Sequence, residues 1–320
     1  MSLIKIPLGL IGNIIKARKE RFPKLLSIEL SNACNSDCIM CPRADLTRKI
    51  QHMPLQILEK IIRDCQRKPL KKINLFWFGD SLTNPKFIQQ LRMIRGGLPE
   101  VILNLSTNAE LLTEKRSDII LKEILLDHIN FDIDGITKKT YESIRRGVNF
   151  DLVMKNVKYF IEKRNEIKAQ KPFVSVTIIK MTKTSAEIED FKRYWKGFAD
   201  KVEINDYNTW LGSKPDLNVG ETLHKSQEGK FEYPCIHPWN ELVISADGKG
   251  GLCCLDYDLT AEVGDVTKQS IEQIWKGKKI TEYRRLIMEL NYHLIEPCKK
   301  CNAYIYQDRT FWAKLWKRVL

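Results

Sequence analysis

Leu25-Leu-Ser-Ile-Glu-Leu30-Ser-Asn-Ala-Cys34-Asn-Ser-Asp-Cys38-Ile-Met-Cys41 is the most informative stretch of this chain. Residues 25–30 form an apolar run that reads as a buried strand. Three cysteines then follow in a CxxxCxxC spacing. Grouped thiols hold metal, and two kinds of centre compete for them. A structural zinc takes four protein ligands. A [4Fe–4S] cubane has four irons, so three thiolates leave one iron open to an outside ligand. His52, just before Met53-Pro54, is the nearest candidate fourth ligand. Its distance in sequence favours the open cubane.

Working outward, strand-like and helix-like periods alternate. Helical patterns cover 54–67, 86–95, 114–125, 137–145, 152–163 and 186–198. Strand patterns cover 72–78, 101–106, 128–133, 173–180 and 202–206. Counting 25–30 as the first strand, six βα-type units imply an α/β fold with a parallel sheet and right-handed crossovers. Six strands are too few for a closed eightfold barrel. Residues 208–234 are polar with scattered Gly and Pro and read as a linker or covering loop.

The chain has 320 residues, 43% hydrophobic and 29% charged, which excludes a disordered or fibrous protein. The formal charge of +13 suggests an anionic partner. No block of like charge and no aromatic-interleaved basic face stands out, which argues against nucleic acid. No run reaches the ~18 apolar residues of a membrane span. Ile6 to Ile15, followed by Lys16, Arg18, Lys19 and Arg21, reads as an amphipathic helix in a 1–22 segment, not a signal peptide. Thr310 to Leu320, with Trp312 and Trp316, reads as a docking tail (304–320). Weak contact of these ends with a membrane surface is a further expectation. There are nine cysteines, an odd number, and eight fall in two groups, which argues for metal ligation in a reducing, cytoplasmic setting rather than disulfides. Cys65 follows Leu58, Ile61 and Ile62 at helical spacing and reads as core.

CxxxCxxC after the first strand of an α/β chain resembles the radical S-adenosylmethionine (SAM) superfamily. That resemblance implies a partial (β/α)6 TIM-like barrel over 23–207, open on one side. It also implies a cubane on Cys34, Cys38 and Cys41 whose open iron chelates SAM and cleaves it to a 5′-deoxyadenosyl radical. Gly79-Asp80 resembles the segment that holds the SAM amino group, with Asp in place of the usual Glu. An N-cap Asp in an ordinary strand-to-helix turn is the alternative. Ser106-Thr107-Asn108 is similar to the family's Thr-Asn-Gly near the methionine and ribose. Asp132 and Asp134 stand where the family faces ribose hydroxyls or substrate. Arg146, of Arg145-Arg146-Gly147, is the expected partner of the SAM carboxylate.

The second group is Cys235, Cys253, Cys254, Cys298 and Cys301. Asp247-Gly248 between apolar runs signals a hairpin that brings Cys235 to the Cys253–Cys254 pair. Four cysteines also suit a zinc ribbon. The order resembles the short SPASM/twitch extension of radical SAM enzymes, which implies a second [4Fe–4S] cluster within 235–303. Adjacent strand residues point to opposite faces, so one of the pair ligates. Counting from Gly248, Cys253 fits; Cys254 is a packed thiol or a hydrogen-atom donor. The resemblance implies an oxidoreductase fed by flavodoxin or ferredoxin, with dehydrogenation of an alcohol or amino-sugar carbon foremost. A peptide- or sugar-modifying enzyme, such as an epimerase using Cys254, is the alternative. A zinc protein that binds nucleic acid is the second alternative.

Overall fold

The computed structural model describes residues 22–214, 217 and 234–301. The amphipathic start, the tail and most of the 208–234 segment lie outside them. β1 (Leu25–Ile28) opens the sheet and is followed by α1 (Leu55–Cys65), β2 (Lys72–Asn74), α2 (Phe87–Gly97) and β3 (Ile102–Thr107). Next come α3 (Glu114–Lys122), β4 (His128–Asp132), α4 (Lys138–Ile144), α5 (Phe150–Glu166), β5 (Phe173–Lys180), α6 (Ile188–Trp195) and β6 (Lys201–Asp206). β1 to β6 pair in parallel in chain order, which is the expected partial barrel.

The helices lie where their periods put them. Leu58, Ile61, Ile62 and Cys65 form the buried stripe of α1, and Cys65 is a core residue as expected. Each buried side chain of Leu or Ile size stabilises the fold by roughly 1.5–3 kcal/mol. Thr113, Thr137 and Asn149 accept backbone N–H groups at the starts of α3, α4 and α5. Those caps set the points where each loop turns into its helix.

After α7 (His237–Asn240), β7 (Glu241–Ile244) and β8 (Lys249–Gly251) form the hairpin read from Asp247-Gly248. Gly248 sits at φ +91, where a side chain would be strained. β9 (Glu262–Asp265), α8 (Ile271–Trp275) and α9 (Lys278–Met288) follow, and two 3-10 turns, Tyr292–Leu294 and Glu296–Cys298, lead to Cys301. Ser270 and Gln273 close a capping box at α8.

The sequence suggested a second unit beginning near Cys235, but the sheet does not stop there. β7 pairs in parallel with β1, from Leu25–Glu241 to Ile28–Ile244, and the nine-stranded order is β9-β8-β7-β1-β2-β3-β4-β5-β6. The free edge of β1 would otherwise bury unpaired backbone groups, and β7 satisfies them. This pairing ties the second cysteine group to the strand that leads into the first.

Candidate functional site: a cysteine loop over the carboxyl ends of the barrel strands

The first cysteine group lies on the loop after β1. Gly79, after β2, has φ +92, and a Cβ there would fall 2.6 Å from the backbone of Asn32 and Ala33. Only glycine lets the two loops touch so closely. Asp37 and Cys38 pair with Arg146 and Arg145 in a two-residue ribbon. Cys38 Sγ lies 3.0 Å from Ser36 Oγ and 3.8 Å from Arg145 Nη1. Asn108 Nδ2 approaches Cys34 Sγ at 3.9 Å. Burial pushes the Cys34 thiol up to about 12 and the Cys41 thiol to about 11. Metal binding there must therefore expel protons.

Below the loop is a cavity of about 410 Å³, walled by Cys34, Cys38 and Cys41 and by strand-end residues including Asp80, Ser106, Asn108 and Asp132. Asp80 is buried, and its oxygens accept from Leu82 N (2.9 Å), Thr107 Oγ1 (2.7 Å) and Asn108 N (3.0 Å). It is the N-cap of the turn, and it ties that turn to the end of β3. Its oxygens accept three hydrogen bonds from the protein, and Asp80 still lines the cavity. Burial raises its pKa, and the three hydrogen bonds oppose that shift. Asp132 accepts from Ser106 Oγ at 2.8 Å and Asn130 Nδ2 at 2.8 Å, and burial raises it to about 6.

Asp134 does not reach the cavity wall. It is fully buried, accepts from Ile179 N at 2.7 Å and pairs with Arg145 at 2.7 Å. Arg145 lines the cavity, whereas Arg146 is exposed. Of the two arginines it is Arg145, not the expected Arg146, that faces the cavity. In an extended ribbon neighbouring side chains point to opposite faces, and only the parity of the pairing with Cys38 decides which arginine turns inward. His52 is held by Ser31, with Nδ1 2.9 Å from Ser31 Oγ, away from the cysteines.

The second group converges at the opposite end of β7. The Cys298 thiol is pushed up, first by burial and then by the nearby Cys253, Cys301 and Cys235. Tyr292 Oη accepts from Cys235 N at 2.7 Å. The Cys254 hydrogen bond draws the Cys253 thiol down to about 7, against burial and with help from His237, and the same bond raises Cys254. Cys254 packs with His237 and Glu241 and is not among the residues that line the cavity.

Zinc can be tested against these positions. Tetrahedral Zn–S bonds of ~2.3 Å place ligand sulfurs ~3.8 Å apart. Among the described residues, the sole trio of His, Cys, Asp or Glu with ligand atoms within 4.8 Å of one another is His237, Glu241 and Cys254. Neither cysteine group closes that far. Wider spacing suits thiolates bound to different irons of one cubane.

The sequence reading missed a clamp between the two groups. Arg48 grips buried Glu29 through both terminal nitrogens (2.8 and 2.9 Å), donates from Nε to Tyr257 O (2.8 Å) and lies 4.7 Å from the Trp77 ring centroid. Trp77 is itself a cavity residue, and its Nε1 donates to Cys254 O at 2.6 Å. The available signal was Glu29, a charge inside an otherwise apolar strand run, which requires a buried partner.

Comparison with known proteins agrees with this geometry. Residues 28–194 match the Radical SAM superfamily, more than half of the chain. The chain belongs to the Radical SAM superfamily. Residues 235–302 match SPASM, an iron-sulfur cluster-binding domain. These matches imply a [4Fe–4S] cluster with SAM and auxiliary iron-sulfur ligation, and the cysteine geometry fits both. A protein of Pyrococcus furiosus named tungsten-containing aldehyde ferredoxin oxidoreductase cofactor-modifying protein is 28% identical, covering 87% of each chain. A probable GTP 3′,8-cyclase of Pyrococcus abyssi is 30% identical over 41% of this chain, which spans 42% of that relative. Among solved structures, BtrN with AdoMet and 2-DOIA is similar at TM-score 0.58 and 17% identity, covering 88% of this chain and 94% of BtrN. Streptococcus suis SuiB bound to precursor peptide SuiA gives TM-score 0.65 and 15% identity, covering 87% of this chain and 70% of SuiB. At these identities the structures support the fold alone. Among the described residues no helix is long and apolar enough to cross a membrane.

Proposed function

We propose that this radical SAM enzyme is an oxidoreductase that dehydrogenates an alcohol or amino-sugar carbon: one hydrogen atom goes to the 5′-deoxyadenosyl radical, the hydroxyl or amine proton to a base, and the remaining electron to the auxiliary centre. The bound cofactors supply the 5′-deoxyadenosyl radical and the electron sink. Cys34, Cys38 and Cys41 are the residues to hold the SAM-cleaving cluster, and Cys235, Cys253, Cys298 and Cys301 the auxiliary one. Arg145 is placed to pair with the SAM carboxylate. Asp132, with Ser106 and Asn108, is placed to accept from ribose hydroxyls. Asp80 positions this strand-end group rather than binding directly. Flavodoxin or ferredoxin is the expected electron donor.

One observation carries the oxidoreductase reading. Trp77 forms part of the cavity wall and hydrogen-bonds Cys254 O, next to Cys253. A single indole therefore separates the cavity from an auxiliary ligand, a short path for an electron leaving a substrate radical. A peptide or an organic cofactor is the second class of substrate. The SuiB structure holds a precursor peptide, and the Pyrococcus furiosus relative is named for modifying a cofactor.

The test is anaerobic reconstitution with SAM and dithionite, adding extract from cells grown in deuterated water. Wild type should bind about eight irons and form 5′-deoxyadenosine carrying deuterium. Cys298→Ala should still form deuterated 5′-deoxyadenosine but yield no product two hydrogens lighter. If Cys298→Ala makes that product at the wild-type rate, the auxiliary centre is not the acceptor.

A further inference from the structure

Glu241 opens β7 and is buried, at 7% exposure. A carboxylate taken out of water needs a positive charge beside it. Ser27 on β1 donates to one of its oxygens, and Asn74 Nδ2 donates to Ser27 Oγ at 3.2 Å. The other oxygen faces His237 Nδ1 at 3.5 Å, because the short α7 folds residue 237 back over residue 241. Among the described residues no lysine or arginine forms an ion pair with Glu241. Cys254, on the turn after β8, brings its sulfur to the same place, and the three ligand atoms all lie within 4.8 Å of one another. Trp77 Nε1 fixes the backbone of Cys254 from 2.6 Å.

The spacing of Glu241 and His237 decides between two kinds of contact. A good N–H···O hydrogen bond is roughly 2.7–3.2 Å long. Two ligands of one tetrahedral zinc, with bonds of ~2.1 Å, stand ~3.4 Å apart. The observed 3.5 Å fits the second and is long for the first. A zinc-bound sulfur stands ~3.6 Å from its neighbouring ligands, so Cys254 Sγ has about 1 Å to close, within reach of a small side-chain rotation. The donor types point the same way. Magnesium and calcium take oxygen ligands, whereas imidazole, thiolate and carboxylate together suit zinc. Ser27 holds the carboxylate from behind, as the hydrogen-bonding groups behind metal ligands do. His237 and Cys254 are only half-buried, which leaves an entry for the ion from their side.

We propose that His237, Glu241 and Cys254 bind a zinc ion beside the auxiliary centre, with water in the fourth position. The Cys254 thiol gives up its proton to solvent as the sulfur binds, and the imidazole binds neutral. The two adjacent cysteines then serve two metals, Cys253 an iron of the cluster and Cys254 the zinc. The ion fastens the start of β7 to the turn after β8 and neutralises the buried carboxylate. None of this depends on which substrate loses hydrogen.

The experiment uses anaerobically purified holoprotein, reconstituted with iron and sulfide, supplied with zinc sulfate and desalted. Metals are counted by mass spectrometry, and the zinc environment is read from its X-ray absorption edge. Wild type should hold one zinc beside about eight irons. Its zinc spectrum should show a single sulfur at ~2.3 Å with nitrogen or oxygen at ~2.0–2.2 Å. Cys254→Ala and His237→Ala should each lose the zinc and keep the irons, and the retained irons show that these variants fold. Cys254→His should bind zinc again, with no sulfur in its spectrum. His293→Ala, which removes an exposed histidine, should keep both metals at wild-type content. The proposal is overturned if wild type holds no zinc, or if its zinc has two or more sulfur neighbours and so sits on the cluster cysteines. It is equally overturned if Cys254→Ala loses about four irons, which would make Cys254 a cluster ligand. Zinc content is read whether or not SAM is cleaved, so this failure is separate from that of the oxidoreductase reading.

Discussion

Replacing Arg145 and Arg146 in turn by Met separates two adjacent arginines that composition cannot tell apart. Arg145 is buried, donates to Asp134 from Nε (2.9 Å) and Nη2 (2.7 Å), and approaches Cys38 Sγ. Asp134 has no exposed surface. Removing one member of a buried pair leaves the other charge unpaired, which costs about 3–5 kcal/mol. Spread over 320 residues, an unfolding entropy of ~2.1 cal/mol/K per residue gives ~0.7 kcal/mol/K, so Arg145→Met should lower the melting temperature by roughly 4–7 °C. Arg146 is exposed, and Arg146→Met should stay within about 0.5 kcal/mol of wild type, under 1 °C. If Arg145 also pairs with the SAM carboxylate, its loss removes a charged hydrogen bond of about 1.5–3 kcal/mol, or about ten- to 150-fold in Kd. The assays are calorimetric melting at fixed scan rate and equilibrium SAM binding to reconstituted protein. Equal effects of the two substitutions, or an Arg145→Met protein with wild-type melting and SAM affinity, would refute the reasoning.

Three more outcomes can be checked directly. Cys253→Ala should lose about four irons per chain while Cys254→Ala keeps them, because Cys253 is the strongest of the charges acting on Cys298; iron and sulfide analysis decides it. Asp80→Ala unties the Gly79 turn from Thr107 and Asn108 and should cost about 1–3 kcal/mol of stability, with SAM affinity falling in parallel; an unchanged melting curve would contradict it. Burial raises Asp132 to about 6, so the folded protein keeps a proton that the unfolded chain releases near 4. Stability of the SAM-free protein should therefore decline as pH rises from about 4 to 6, while SAM affinity should climb over the same range as the carboxylate ionises to accept ribose hydroxyls; binding titrations at pH 5 and 7 test the second half.

Order along the chain was enough for the β1–β6 alternation, the hairpin at Asp247-Gly248 and the buried role of Cys65. Each rests on periodicity, turn chemistry or spacing, which are local properties written residue by residue. Other features depended on which distant groups meet. Whether Arg145 or Arg146 turns inward follows from pairing parity with Cys38. Whether Asp80 caps a turn or faces a ligand follows from the donors at Thr107 and Asn108. The joining of β7 to β1 and the Arg48 clamp both require strands far apart in sequence to lie side by side. A residue's type limits the contacts it can make, and three-dimensional packing selects among them, because burial obliges every polar group to find its partner wherever the fold has put one.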